Sequence, residues 1–264
     1  MLLHEMPFGW PVVAYLSCAG LAAGAALGAA LDLRGEHRRR AQHGYLVASV
    51  AILIGALFLI VDLEKPASFA AVLLHFNPAS AISWGARALP LFALSCLFAG
   101  WLLRRDRRHA RPFQAVATGL GLFIAAYPGV VLYQALGRPL WHNPILVPLL
   151  FVSALHMGLA ARRWIGSRSS LAGEGWLLGL QLTLLVAWLI TASGQAPGAV
   201  VRLTAGSLAP WLWVGVVAVG LITPWWAIRH RGAQRFALGI APILGGIALR
   251  AIVILGGQGV DGVA

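Results

Sequence analysis

The chain has 264 residues, 59% of them hydrophobic and 11% charged, with a mean hydropathy of +0.81. Soluble domains carry roughly a quarter charged residues, so this composition excludes an ordinary water-soluble fold and points to an all-α integral membrane protein. The net charge of +12 does not indicate nucleic acid, because the arginines stand beside apolar segments of spanning length rather than interleaved with aromatics on a groove-facing surface.

Taken in chain order, the apolar stretches predict eight transmembrane helices, over residues 9–33, 44–63, 81–103, 113–135, 144–162, 175–193, 207–227 and 236–256. Each is close to the ~20 residues a crossing requires. The N-terminal MLLHEMPFGW lacks a basic n-region and the first apolar stretch is too long for an h-region, so it is expected to be retained as the first helix. That helix carries Gly20, Gly24 and Gly28 four residues apart, a small-residue stripe along which another helix can approach closely. Residues 1–135 and 136–264 are expected to form two four-helix bundles, although the halves show no sequence repeat.

The connections at 34–43, 104–112, 162–174 and 228–235 hold 4, 5, 3 and 3 arginines, 15 of the 20 basic residues. The positive-inside rule assigns them to the cytoplasm. With an even number of crossings, both termini lie outside, in the periplasm for a bacterial inner membrane. Cys18 and Cys96 fall inside predicted helices, without CxxC, CxxCH or zinc spacing, and are read as small packing residues. Of eight histidines only His156 lies well inside a span, so the paired imidazoles of a b-type haem are not expected, nor any metal in this chain.

The arginine-poor side is richer in chemistry, with VDLEKPASF at 61–69, HFNPASAISWGA at 75–86 and YPGVVLYQALGRPLWHNP at 127–144. Turn formation accounts for Pro66, Pro78, Pro139 and Pro144; it does not account for Asp62, Arg87 and Tyr127. Asp62 ends the second helix and Arg87 begins the third, while helical rise puts Tyr127 about 12 Å and Tyr15 about 9 Å below the outer boundary. Ionisable groups at membrane depth pair with one another or line a cavity. A pocket among helices one to four, opening outward, is therefore expected, with an Asp62–Arg87 ion pair as the structural alternative. Pro128 and Gly129 free a backbone carbonyl and permit close approach of a ligand or a helix. Trp84 is either an aromatic wall of that pocket or an interfacial anchor. In the second half, Arg250 lies deep enough to need a partner. Glu174 is read as a solvated carboxylate at a helix start, or with His156 as the beginning of a proton path.

The succession DLEKP, FNP…SWG, YPG, RPLWHNP and a final helix ending LRAIVILGGQ resembles the NrfD/PsrC family of membrane subunits, in particular the polysulfide reductase type. The resemblance implies a haem-free subunit that exchanges electrons between menaquinone or ubiquinone and an iron–sulfur (ferredoxin-like) subunit on the periplasmic side. That partner is commonly followed by a molybdopterin catalytic subunit. In that type a tyrosine of the fourth helix bonds the quinone, and Tyr127 stands at the matching position. Where the first helix of that type supplies His and Asn, this chain has Tyr15 and Val12. The residues read on the arginine-poor side and the resemblance together make Asp62, Arg87 and Tyr127 the candidate reactive residues, with Tyr15, Trp84 and Tyr127 around the ring. A secondary transporter and an anchor that never touches quinone are the competing readings.

Overall fold

The computed structural model describes residues 9–34, 37–62, 77–78, 80–105, 107–164, 171–230 and 234–258, and all of its regular elements are helical. They are α1 (Trp10–Arg34), α2 (Arg38–Asp62), α3 (Ala81–Arg105), α4 (Arg107–Tyr133), α5 (Leu146–Trp164), α6 (Leu171–Gln195) and α7 (Pro197–Thr204). A π-helix (Trp211–Ile222) follows and runs straight into α8 (Thr223–Arg229); α9 (Gln234–Gly239) and α10 (Ala241–Gly257) complete the chain. Among the described residues seven helical segments are long and apolar enough to cross a membrane, and Ala241–Gly257 is a shorter apolar helix of 17 residues. This is an integral membrane protein.

The arginine-rich ends differ from the expected boundaries. Both α2 and α4 begin about six residues early, taking Arg38 to Arg40 and Arg107 to Pro112 into helix. Helix favours arginine, and α4 runs on through Pro112, where the missing N–H removes one i−4 bond, to the carbonyl of Arg108. The seventh segment is also not one regular helix. Short α7 precedes it, and within 207–227 the wider-wound stretch follows Pro210 and gives way to α8, where Thr223 Oγ1 donates to Ala218 O at 2.9 Å.

α1 is buried along most of its length and packs on α2, α4, α5 and α10, while α3 packs on α2 and α4. The glycine stripe makes this possible. A Cβ on Gly24 would fall onto Ala154 O and the backbone of Gly158 in α5, so the two helix backbones touch there. Gly20 and Gly28 instead make room for arginine side chains, Arg250 and Arg162. Arg162 reaches Asp32 of α1 in a bidentate pair at 2.5 and 3.1 Å, both groups buried.

The RPLWHNP segment turns out to be a brace. Arg138 donates to Gly257 O at 2.9 Å and Trp141 Nε1 to Val253 O at 2.6 Å, satisfying carbonyls at the end of α10, where Arg202 also donates to Gly256 O. Buried Asn143 accepts from Ile145 N at 3.0 Å at the entry to α5 and donates to Thr191 Oγ1 of α6 at 2.6 Å.

Candidate functional site

α4 stays helical through Pro112 and Pro128, so the YPG sequence does not break it. Gly129 serves the helix-packing alternative: a Cβ there would collide with the backbone of Val147 in α5. The face of α4 turned away from α5 meets α3. There Gly85 leaves space for the end of the Tyr127 ring, since a Cβ at 85 would overlap Cζ and Oη of the tyrosine. Phe123, one turn below, packs on Tyr127 with ring centroids 5.4 Å apart.

Between α3 and α4 lies a cleft of about 260 Å³, lined by Pro78, Ala81, Trp84, Phe123, Ala126, Tyr127, Val130 and Gln134. Trp84 is 50% exposed and Phe123 38%, so the cleft opens sideways on the flank of the helix pair, toward where lipid lies. The cleft involves the third and fourth of the four helices among which an outward-opening pocket is expected. The helix interior holds Phe92, Ile52, Tyr45 and Leu103, all fully buried.

Of the expected residues, Trp84 and Tyr127 come together as cleft lining. Trp84 Nε1 donates to Pro78 O at 3.0 Å, which fixes the indole as a wall and ties the α3 entry to the preceding turn. Tyr15 does not line the cleft. It is buried behind it, against Gly55 of α2 and within electrostatic reach of Tyr127. Arg87, partly buried one turn past Trp84, donates to Ser83 O at 3.2 Å. Asp62 ends α2, but its side chain and residues 63–76, including the rest of DLEKP, lie outside the described residues. Sequence reasoning does not reach Phe123, Val130 and Gln134. Their spacing of four, three and four residues about Tyr127 is nevertheless the signature of one helical face.

Several other intramembrane polar groups are committed elsewhere. Arg250 is bonded by Nε to Leu16 O at 3.0 Å and by Nη1 to Ser153 Oγ, Met157 Sδ and Gly246 O, so carbonyls and not a carboxylate hold it among the described residues. His156 Nδ1 bonds Gln181 Oε1 at 3.0 Å. Glu174 corrects the expectation of a solvated carboxylate. It is buried and receives Arg163 Nε at 3.0 Å and Nη2 at 2.6 Å, because α5 and α6 close on each other at that end. Among the described residues no three of His, Cys, Asp and Glu gather into a metal-binding group.

Fold and cleft define a polytopic helical membrane protein with a lateral, mostly apolar site bearing two polar groups. The sequence matches the family model described as "Polysulphide reductase, NrfD" over residues 3–261, and the chain belongs to that family. It is 27% identical to the C subunit of polysulfide reductase from Wolinella succinogenes, covering 94% of this chain and 93% of that protein. It is 25% identical to protein NrfD of Escherichia coli, over 97% of this chain and 96% of that one. An NrfD homolog of Haemophilus influenzae is 21% identical over 81% of each.

Proposed function

We propose that this chain is the quinone-reactive membrane subunit of a respiratory oxidoreductase, exchanging electrons between menaquinone or ubiquinone in the bilayer and an iron–sulfur subunit docked on the periplasmic side. A molybdopterin enzyme is the expected further partner. In this reading α9 and α10 together make an eighth crossing of the bacterial inner membrane, and both termini are periplasmic. α1 to α4, within residues 1–135, form one four-helix bundle. The later helices, within 136–264, form the second.

The observation that carries the reading is the lateral cleft at the outer ends of α3 and α4. An apolar slot open to the bilayer suits a lipid-soluble ring, and polar groups inside it suit ring oxygens. The volume of about 260 Å³ is below the ~300–1,000 Å³ of sites that enclose a drug-sized ligand, so it fits a head group whose tail remains among lipids. When bound, such a quinone supplies transfer of two electrons and two protons. The chain's own residues do the rest. The Tyr127 hydroxyl makes no hydrogen bond to a described residue and is available to donate to a ring oxygen. Trp84 and Phe123 hold the ring's faces, and Tyr15 backs the tyrosine. Asp62 is assigned the proton, directly or through water, with Arg87 keeping the carboxylate ionised and in place.

Tyr127→Phe tests this. Quinol-dependent reduction of the partner is expected to fall while membrane assembly with the partner persists, and unchanged turnover would remove Tyr127 from the site. Asp62→Asn is expected to slow turnover more than quinone binding.

A further inference from the structure

Two side chains in the cleft end in polar groups that make no hydrogen bond to a described residue, the Tyr127 hydroxyl and the Gln134 amide. They belong to one helical face. Gln134 N still bonds Val130 O at 3.2 Å, so the helical winding of α4 carries on through residue 134. Seven residues are close to two turns, which superimposes the two positions in projection and separates them by about 10.5 Å along the axis. Both side chains lean toward the helix N-terminus alike, so their ends keep roughly that separation. Val130 lies midway as an apolar floor. Trp84, the cleft's other residue with an N–H, has that donor engaged by Pro78 O.

A ring with carbonyls at opposite ends has its two oxygens about 5 Å apart, two C=O bonds of about 1.2 Å included. Adding a hydrogen bond of about 2.8 Å at each end gives a donor-to-donor span of roughly 8–11 Å, from donors on the lone-pair directions to donors in line with the C=O bonds. The Tyr127–Gln134 spacing falls within that range, toward its linear end. Carbonyls on adjacent ring carbons cannot span it.

Resting on the reading of the cleft given above, we infer that Gln134 is the second head-group contact: its amide donates to the outer carbonyl of a 1,4-quinone whose inner carbonyl is held by Tyr127. The ring then lies along α4 over Val130, and the site selects for opposed carbonyls. The tail leaves sideways past Trp84 and Phe123.

The test uses the purified full-length protein and the fluorescent quinone-site ligand 2-heptyl-4-hydroxyquinoline N-oxide, whose affinity is first measured for each variant. It is displaced by menadione, which has two opposed carbonyls, or by 1-tetralone, a bicyclic frame with one. Gln134→Leu is expected to weaken menadione about three- to ten-fold, the loss of one neutral hydrogen bond, and to leave 1-tetralone unchanged. Tyr127→Phe is expected to weaken both. Gln134 is exposed, and an unaltered melting curve confirms that Gln134→Leu folds. If Gln134→Leu leaves menadione unchanged, or weakens both competitors equally, the two-ended grip is wrong while the Tyr127 result still supports the cleft. If neither variant alters displacement, the quinone reading of the cleft fails with it.

Discussion

Gly85→Ala isolates the placement of the Tyr127 hydroxyl from its chemistry. The added methyl would occupy the space of Cζ and Oη of Tyr127. Carbon contacts settle at about 3.5–4 Å, so the end of the ring must retreat by roughly 1–2 Å. It has somewhere to go, because the ring borders the open cleft and its far end is not locked by a hydrogen bond to a described residue. The stability cost therefore belongs at the low end of overpacking penalties, about 1 kcal/mol. The functional cost is larger. A displacement of about 1 Å in a positioning group can lower turnover about a hundredfold, and here the ring also moves into the volume a head group needs. The assay is quinol-dependent reduction of the partner in membranes, beside a melting curve of the purified protein. Gly119→Ala, on α4 with nothing within 4 Å of the added carbon, is the control and is expected to be silent. Gly85→Ala turnover within about twofold of wild type, at unchanged stability, would refute the argument that this hydroxyl is held in place for a ligand.

Other perturbations address the frame around the cleft. Asp32→Asn leaves Arg162 buried without its carboxylate and is expected to cost about 3–5 kcal/mol in a denaturation assay; the pair Asp32→Leu with Arg162→Met is expected to regain most of it. Gly24→Leu places a side chain where α1 and α5 touch backbone to backbone, so the protein is expected not to accumulate in membranes, which blotting of the membrane fraction reads directly. Leu136→Cys, at a position 77% exposed in the outer turn, is expected to react with a membrane-impermeant maleimide from the periplasm. Arg111→Cys is expected to react only after permeabilisation, and the opposite pattern would invert the orientation.

Much of the fold was legible because two strong signals, long apolar runs and asymmetric arginine, do not depend on tertiary detail. The glycine stripe of α1 was legible too, since spacing alone gives a helical face. Spacing did not say which residues would sit across from it, and two of the three glycines proved to admit arginines. Glu174 illustrates what a one-dimensional reading misses. A carboxylate at a helix start is favoured by the macrodipole whether solvated or paired, and only the closure of α5 on α6 brings Arg163 to it. RPLWHNP, the most specific segment of the resemblance, was read on the site's side of the molecule but works as a brace on α10, because its donors meet carbonyls more than a hundred residues away. Tyr127 and Trp84 were found from motif and depth. Gln134 was overlooked because a glutamine at a helix end has an ordinary turn explanation.

The distinction that separates structure from chemistry here is whether a polar group's hydrogen-bonding capacity is already used inside the chain. Arg250, Asp32 with Arg162, Glu174 with Arg163, His156 with Gln181, and Asn143 with Thr191 are all engaged by neighbours. In a low-dielectric interior such groups fix helix register, and removing one partner exposes the cost of the other. Tyr45 Oη and Gln114 Nε2 have no hydrogen-bond partner among the described residues, but both atoms are buried. Tyr127 and Gln134 alone line the cleft with donors that no described residue takes up. A polar group left unpaired against hydrocarbon costs several kcal/mol, which bears on the Tyr127 hydroxyl at its depth in α4, whereas Gln134, exposed just beyond the end of that helix, can be met by water. On the proposed reading, a molecule that dissolves in the bilayer and carries acceptors at matching separation would take up both groups, and that is the property by which a quinone-handling subunit would differ from an inert membrane tether.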